Sequence, residues 1–232
     1  MPDWTASKLP AQSSGATLIG GDQGSIEVYF DAPSGRPVGV ACIAHPQPLL
    51  GGSATHKIPA LLAHACRDAG WYAVRPNFRG VGKSSGTHDL GEGEAADIRR
   101  IVDVLRRQFE GLPLALLGFS FGAFVQAGVA RQLQAEGVPT ARVVLIGMPA
   151  GIVEGGRDYD TGDVPKESLI IHGELDQQVP LGNVLAWAHR HAHAVLVVPG
   201  ADHFFRGRLP MLRDAALKHL WLDGASSRRM PA

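Results

Sequence analysis

Short apolar runs alternate along the chain with longer segments that are apolar on one side only. In the runs, apolar residues occupy successive positions, which is typical of strands buried on both faces of a sheet. These runs predict strands at Val38–Ala44, Trp71–Val74, Leu114–Leu117, Val143–Ile146, Leu169–Ile171 and Val195–Val198. Before them, Thr17–Ile19 and Ile26–Phe30 predict a hairpin that turns at residues 20–22.

The segments between the runs carry apolar residues at helical spacing. In the clearest of them, Ile98, Ile101, Val102 and Leu105 share one face of a helix. The predicted helices are His56–Ala69, Glu94–Gln108, Phe124–Leu133, Val184–His189 and Met211–Leu220. Strands that are apolar on both faces and are separated by helices predict an α/β fold: a mostly parallel central sheet of about eight strands with helices on both faces. In such a sheet, functional residues are expected at the carboxyl ends of the strands.

No linker, repeat or low-complexity block divides the chain, so residues 14–222 are predicted to form a single domain. Residues 1–13 and 223–232 are polar or small and show no pattern, and we expect them to be loose termini. The segment from about Pro149 to Lys166 is rich in Gly and Asp and is too short for a helical cap domain. It is predicted to be an exposed rim loop that leaves the site open.

The charge balance and composition exclude several classes of partner. The chain has 22 Lys and Arg against 22 Asp and Glu, which leaves no basic surface for nucleic acid or for an anionic membrane. No stretch is long enough to span a bilayer and no signal peptide is recognisable, so we expect a cytoplasmic protein. Cys42 and Cys66 are expected to be buried free thiols. Zinc-binding spacing such as His-Glu-x-x-His is absent, and neither a metal nor another cofactor is predicted.

The most informative motif is Gly118-Phe119-Ser120-Phe121-Gly122, which joins a predicted strand to a predicted helix. A Gly-x-Ser-x-Gly sequence in this setting is typical of a nucleophile elbow, a tight turn that presents the serine hydroxyl above the sheet. The two glycines would let the strand and the helix approach each other closely. The alternative, that Ser120 is only a small residue tolerated in the turn, gives no packing benefit that would offset the strain.

A nucleophilic serine needs a base that takes its proton and an acid that orients the base. Asp176 and His203 each follow a predicted strand, and the chain order serine, aspartate, histidine is the one that accompanies the elbow. Asp176 could instead be the N-cap of the next helix, and Glu174 competes with it as the acid. His203 could be a loop histidine beside Asp202, although its place after the last strand favours the role of the base.

Longer motifs accompany these residues at positions 45–52 (HPQPLLGG), 75–86 (RPNFRGVGKSSG) and 91–97 (GEGEAAD). With them the chain resembles the α/β-hydrolase superfamily from about Thr17 to Leu220, and more narrowly its small bacterial predicted serine hydrolases that lack a cap domain. The resemblance implies an α/β-hydrolase fold without a cap, a triad of Ser120, Asp176 and His203, and ester hydrolysis. One departure is residue 77, an Asn where an Asp often stands, in a loop that we expect to be structural.

In this fold, backbone N–H groups hold the oxyanion that forms when the serine attacks a carbonyl. Phe121, directly after the nucleophile, would supply one N–H, and the loop after the Val38–Ala44 strand would supply the other. The prolines of that loop have no N–H, which leaves Gln47 as the donor and a structural part for His45. Candidate wall residues of the substrate site, each of which could equally be core, are Leu49, Leu50, Phe121, Met148, Val179 and Phe204.

These observations predict a serine hydrolase that cleaves small carboxylic esters with short acyl groups through an acyl-enzyme at Ser120. Two alternatives stay open. The same triad could cut a thioester or an amide bond, or the chain could be a hydrolase-like scaffold that binds a ligand or partner without turnover. The oligomeric state also stays open, because apolar surface residues cannot be located from the sequence.

Overall fold

The centre of the molecule is an eight-stranded sheet, seen in a computed structural model that describes residues 8–140 and 142–221. Its strands are β1 (Gly15–Gly21), β2 (Gly24–Asp31), β3 (Gly39–Ala44), β4 (Trp71–Pro76), β5 (Leu114–Phe119), β6 (Arg142–Ile146), β9 (Leu169–Gly173) and β10 (Val195–Val198), while β7 (Gly151–Ile152) and β8 (Asp158–Tyr159) form a separate ribbon. The spatial order is β1-β2-β4-β3-β5-β6-β9-β10. Strands β3, β4, β5, β6, β9 and β10 run parallel to one another, and β2 is antiparallel to its neighbours β1 and β4. The predicted mostly parallel sheet is therefore confirmed.

Five helices cover the two faces of the sheet within the described residues. They are α1 (Lys57–Asp68), α2 (Glu92–Gln108), α3 (Phe121–Ala135), α4 (Leu181–His191) and α5 (Leu209–Leu220). Helices α1 and α5 pack on one face, and α2, α3 and α4 pack on the other. Strand β3 shows why its sequence is apolar throughout, because Val40 and Cys42 face one layer while Ala41 and Ile43 face the other. Each large aliphatic side chain buried this way contributes about 1.5–3 kcal/mol.

The start of the described chain is held against the sheet. Leu9 is buried, its N–H donates to Gln108 Oε1 (2.8 Å), and its carbonyl accepts from Gln108 Nε2 (2.7 Å). The Tyr72 hydroxyl donates to the carbonyl of Pro10 (2.7 Å). The prediction that residues 1–13 are loose is therefore wrong at these two positions, because one apolar side chain finds a pocket that the local sequence does not reveal. Residues 1–7 and the predicted loose tail 223–232 lie outside the described residues.

The segment 149–166 contains the β7–β8 ribbon and is only partly the exposed loop that was predicted. Val153, Thr161 and Val164 are buried. The Thr161 hydroxyl donates to the Pro149 carbonyl (2.6 Å), and the indole N–H of Trp187 on α4 donates to the Thr161 carbonyl (2.6 Å). These contacts to a helix distant in the chain hold the segment down, which a local composition rich in Gly and Asp cannot indicate. A helical cap is absent from the described segment, as predicted.

Asn77, the departure from the superfamily pattern, lies in a buried polar network after β4. Its side-chain amide donates to Glu27 Oε2 (2.8 Å), and its Oδ1 accepts from the N–H of Ala54 (2.7 Å). Glu27 Oε2 also accepts from the Lys83 N–H (3.0 Å). An Asp at position 77 would place a second carboxylate against that of Glu27, away from water, so the amide suits this environment better. The loop is structural, as its sequence predicts.

Cys42 and Cys66 are both buried free thiols, as predicted, and burial raises the pKa of each to about 12. Such thiols hardly form the reactive thiolate. Across residues 8–140 and 142–221, each helix is too short or too polar to cross a bilayer.

Candidate active site

Ser120 lies in the turn between β5 and α3, at the carboxyl edge of the sheet. Its backbone angles are φ 55° and ψ −124°, in a region where a residue with a side chain is strained. The Ser120 N–H donates to the carbonyl of Ile146 on β6 (2.8 Å), which fixes the turn to the neighbouring strand. The sheet therefore compensates for the strain, and the hydroxyl is only half buried.

Two glycines make this turn possible. A Cβ on Gly118 would collide with the backbone of Gly122 and Ala123, and a Cβ on Gly122 would lie 2.5 Å from the carbonyl oxygens of Ala44 and His45. The elbow is thus pressed against both its own helix and the loop after β3. This close approach brings the loop that contains Gln47 next to the serine.

The structure brings Ser120, His203 and Asp176 together. His203 Nε2 lies 3.0 Å from Ser120 Oγ, and His203 Nδ1 lies 2.7 Å from Asp176 Oδ2. The other oxygen of Asp176 accepts from the N–H groups of Gln178 (3.0 Å) and Val179 (2.8 Å). Both the imidazole and the carboxylate are buried. The Asp176 carboxylate is therefore within hydrogen-bond distance of His203, and His203 is within hydrogen-bond distance of the Ser120 hydroxyl.

The loops that carry Asp176 and His203 are joined by backbone contacts. They follow β9 and β10, which are adjacent and parallel. The Leu175 N–H donates to the Ala201 carbonyl (2.8 Å), and the Glu174 N–H donates to the Val198 carbonyl (3.1 Å). A Cβ on Gly173 would lie 2.6 Å from the same Ala201 oxygen, so only glycine allows the two loops to approach this closely. These backbone contacts therefore fix the position of Asp176 relative to His203.

Two alternatives that the sequence left open concern Asp176, as the N-cap of the next helix, and Glu174, as the acid. The N-cap of α4 is Pro180, so Asp176 does not cap that helix. The Glu174 side chain is exposed and accepts from the Gly200 N–H (2.8 Å). Of the two candidate acids, only Asp176 contacts the His203 ring in the described part of the chain.

The two residues whose N–H groups the sequence predicts as oxyanion donors, Gln47 and Phe121, lie on either side of the elbow contact. Phe121 is the first residue of α3, where an N–H has no partner inside the helix, and Gln47 lies in the loop after β3. In the described residues, neither of these two N–H groups donates to a protein acceptor. The Gln47 side chain is held at both ends, since its Nε2 donates to the Tyr159 hydroxyl (3.3 Å) and its Oε1 accepts from the Leu49 N–H (3.4 Å).

His45 supports this loop from inside the protein. Its Nδ1–H donates to the Pro46 carbonyl (2.7 Å), so Nε2 is free to accept from the Phe78 N–H (3.0 Å). The pKa of His45 is lowered to about 3, chiefly by burial, while the bond to Pro46 opposes this shift and the nearby His56 adds to it. The ring is therefore neutral and structural, in agreement with the sequence prediction.

The cleft beside Ser120 and His203 contains only part of the predicted wall. Its other lining residues include Gln47, Leu50, Val153, Arg157, Tyr159 and Val179. Leu50 and Val179 were predicted as wall residues, whereas Leu49 is exposed and is not among those lining the cleft. Met148 was also predicted, but it is completely buried in the core. The predicted wall residue Phe204 instead packs its ring on His203, with centroids 5.3 Å apart.

Sequence reasoning missed Arg157, Tyr159 and His172. The first two come from the 149–166 segment, which has no helical or strand periodicity. Phe121, which the sequence also placed in the wall, is buried, and its ring packs against that of Tyr159. His172 Nε2 donates to the Val179 carbonyl (2.9 Å) and lies 3.4 Å from Asp176 Oδ2. Burial lowers the pKa of His172, so this ring holds the Asp176 turn as a neutral donor.

Nowhere in residues 8–140 and 142–221 are three or more His, Cys, Asp or Glu side chains grouped so that they could hold a metal ion.

Known proteins resemble this chain across the region of the cleft. The family model described as a thioesterase domain matches residues 85–218, which include Ser120, Asp176 and His203. An uncharacterized protein of Rickettsia prowazekii is 30% identical over 199 residues, 78% of this chain and 82% of that protein. The structure of an α/β serine hydrolase without a lid from Xanthomonas campestris is 30% identical with a TM-score of 0.84, over 96% of this chain and 100% of that chain. An α/β serine hydrolase homologue from Coxiella burnetii is 33% identical with a TM-score of 0.79, over 92% of this chain and 100% of that chain.

Proposed function

The chain belongs to the thioesterase-domain family, and on that premise we propose that it is a serine hydrolase that cleaves small carboxylic esters through an acyl-enzyme at Ser120. The predicted α/β-hydrolase fold without a cap domain is confirmed by the lidless Xanthomonas campestris structure. Family and fold support hydrolysis in general. The choice of an ester bond and the role of each residue are part of the proposal.

The observation that carries the proposal is the arrangement of three side chains at the elbow. Ser120 Oγ lies 3.0 Å from His203 Nε2, and His203 Nδ1 lies 2.7 Å from Asp176 Oδ2. Asp176 accepts the Nδ1–H, so Nε2 has the free lone pair that a general base needs. Packing does not explain the strained backbone at Ser120. The strain is expected, however, if this turn serves to present the hydroxyl to a substrate.

In the proposed reaction, Ser120 Oγ attacks the ester carbonyl carbon while its proton moves to His203 Nε2. The negative oxygen of the tetrahedral intermediate is held by the N–H groups of Gln47 and Phe121. The C–O bond then breaks, and the leaving alcohol takes the proton from His203. Water attacks the acyl-enzyme with His203 again as the base, which releases the acid and restores Ser120.

The dimensions of the cleft support a small substrate. Its volume is about 20 Å³, about enough for one water molecule. A long acyl chain would have to lie along the open surface or displace the wall. Short acyl groups are therefore the expected substrates, and turnover should fall as the acyl chain of a 4-nitrophenyl ester is lengthened.

Labelling with a fluorophosphonate tests the proposal directly. We expect the amount of bound label to increase in proportion to the protein concentration. We expect Ser120→Ala to remain unlabelled. The control is Ser34→Ala, which removes the hydroxyl of an exposed serine and should label like the unmodified protein. Equal labelling of Ser120→Ala would contradict the proposal, and absence of labelling in all three proteins would favour a scaffold without turnover.

A thioester is the second candidate for the bond that is cut, because the matching family is named for that activity. The same triad can attack either carbonyl, because the serine attacks, and the oxyanion donors hold, the carbonyl group that esters and thioesters share. Rates on a matched ester, thioester and anilide with one acyl group distinguish these candidates. For each substrate, the enzymatic rate is divided by the rate of its hydroxide-catalysed hydrolysis. If this quotient were well above that of the ester for the thioester, a thioester would replace the ester as the proposed substrate.

A further inference from the structure

Arg157 introduces a positive charge into the cleft. It follows the short 3-10 turn Glu154–Gly156 and lies among the residues that line the cleft with Ser120 and His203. The side chain is half buried. In the serine hydrolase reaction proposed above, Arg157 has no chemical step to perform.

The guanidinium of Arg157 has no carboxylate partner in the described part of the chain. Its one hydrogen bond there runs from Nη2 to the carbonyl of Glu154 (3.2 Å). The carboxylates of Glu154, Asp158 and Asp160 belong to the same segment, but their residues are exposed and none is within 4.0 Å of the guanidinium. By contrast, the buried Arg75 is paired with Asp31 at 2.9 Å. Most donors of Arg157 are thus free for a ligand.

Apart from Ser120 and His203, the residues that line the cleft with Arg157 are apolar or are polar without a charge. Gln178 lines the same cleft, and its side-chain amide has no hydrogen bond within residues 8–140 and 142–221. The Tyr159 oxygen accepts from Gln47, so its own O–H remains available as a donor. The side chain of Asp176 is completely buried and its two oxygens are occupied by His203 and by backbone N–H groups. No carboxylate is therefore among the groups that line the cleft with Arg157.

We propose that Arg157 binds a carboxylate of the substrate, so that the preferred substrates are small esters that carry a carboxylate away from the bond that is cut. This inference rests on the proposed hydrolase function. A guanidinium can donate two parallel N–H hydrogen bonds to the two oxygens of a carboxylate. Arginine therefore fits the shape of a carboxylate better than the ammonium group of lysine does. Because Arg157 is half exposed, solvent weakens the pair, and the expected preference is about 3- to 10-fold.

Two pairs of esters test which side of the ester bears the carboxylate. For the acyl side, 4-nitrophenyl hemisuccinate is compared with 4-nitrophenyl pentanoate. For the alcohol side, 4-acetoxybenzoate is compared with its methyl ester. In one of the two pairs, the ratio of kcat/KM for the charged ester to that for the neutral ester should fall about 3- to 10-fold in Arg157→Gln. Arg157→Glu should lower the ratio further, and Arg157→Lys should lie between Gln and the unmodified protein.

The matched control is Arg190→Gln, which removes an equal charge from an exposed site on α4 that does not line the cleft. Its ratios should equal those of the unmodified protein. Raising the ionic strength from about 0.05 M to 0.5 M should lower the ratio in the unmodified protein but not in Arg157→Gln, because salt screens an exposed pair. Equal ratios in Arg157→Gln and the unmodified protein for both ester pairs would overturn the inference.

A binding measurement separates this inference from the proposed reaction. In Ser120→Ala, the affinities for 4-acetoxybenzoate and for 4-nitrophenyl hemisuccinate are measured by calorimetry and compared with those of Ser120→Ala/Arg157→Gln. The double variant should bind one of the two esters about 3- to 10-fold more weakly, whether or not the unmodified protein hydrolyses esters. Equal affinities for both esters would refute the carboxylate site even if Ser120 is labelled by a fluorophosphonate.

Discussion

The two sides of the cleft differ in how they are held in place. On the sheet side, the elbow at 118–122, the loop at 45–52 and the loops after β9 and β10 are fixed by backbone hydrogen bonds and by contacts that only glycine allows. On the segment side, residues 149–166 are held largely by side chains of α4, such as the Trp187 indole that donates to Thr161 and the Asn183 amide that donates to the Ile152 carbonyl. Catalysis needs positions accurate to about 0.5 Å, which packed strands and their ends can provide. Recognition tolerates more variation, and the short segment supplies the residues that would contact a substrate.

The largest expected effect is on the sheet side, in Asp176→Asn. The new amide can still accept from the Val179 N–H through Oδ1, but its Nδ2 would then face His203 as a donor. His203 would have to place its proton on Nε2, where it can no longer take the proton of Ser120. We expect kcat for a neutral ester to fall about 10⁴-fold with little change in stability.

The control for Asp176→Asn is Glu174→Gln, the other acid that the sequence left open. Its side chain is exposed and bonded only to the Gly200 N–H in the described residues, so turnover should stay within about twofold of the unmodified value. A large loss in Glu174→Gln together with an active Asp176→Asn would reverse the assignment of the acid.

Next in size is the effect of filling the elbow in Gly122→Ala. The added methyl would lie 2.5 Å from two backbone carbonyl oxygens, of Ala44 and His45, and neither can move without displacing the oxyanion loop. We expect a loss of about 3 kcal/mol in the free energy of unfolding and slower labelling of Ser120. The measurements are urea unfolding and the rate of fluorophosphonate reaction.

Gly128→Ala is the matched control, because it makes the same change in the same helix. A Cβ at Gly128 meets no atom within 4 Å, and alanine should stabilise α3 by up to about 1 kcal/mol. If both substitutions lowered the stability equally, the close approach at the elbow would not explain the result for Gly122→Ala.

His45 predicts how the sheet side responds to acid. In the native protein burial lowers its pKa to about 3, while the unfolded chain has the ordinary value near 6.5. Between these two pH values the unfolded chain binds a proton that the native protein does not, so stability falls as the pH falls, by up to about 1.4 kcal/mol per pH unit. In His45→Gln this contribution should vanish, and the free energy of unfolding should vary less between pH 6 and 4.

Urea unfolding at a series of pH values measures this slope. His189→Gln is the control, because His189 is exposed and should leave the pH dependence unchanged. The slope of His45→Gln is what matters, since the lost ring contact with Phe78 will lower its stability at every pH. An unchanged slope in His45→Gln would show that other groups cause the acid sensitivity.

The same contrast explains what the sequence could and could not predict. The sheet and the positions of Ser120, Asp176 and His203 were found because each has a local signal, an apolar run followed by a characteristic residue. The strand Val195–Val198 was predicted with the bounds it has in the structure. Arg157 and Tyr159 were missed because their positions depend on contacts between 149–166 and residues distant in the chain. Met148 was misplaced because apolar residues near a strand end can face either the cleft or the core.

Removing one hydroxyl from the segment side, in Tyr159→Phe, has the smallest expected effect. The Tyr159 oxygen accepts from Gln47 Nε2 at 3.3 Å, a long bond that is partly open to water, and the Gln47 side chain is also held through its Oε1. Loss of the hydroxyl should therefore lower kcat/KM only about twofold to fivefold and leave the unfolding free energy within about 1 kcal/mol. Tyr29→Phe is the control outside the cleft and should leave kcat/KM unchanged. A loss above about 100-fold in Tyr159→Phe would mean that the segment takes part in the chemistry itself, and the distinction between a catalytic sheet side and a recognition segment would then be wrong.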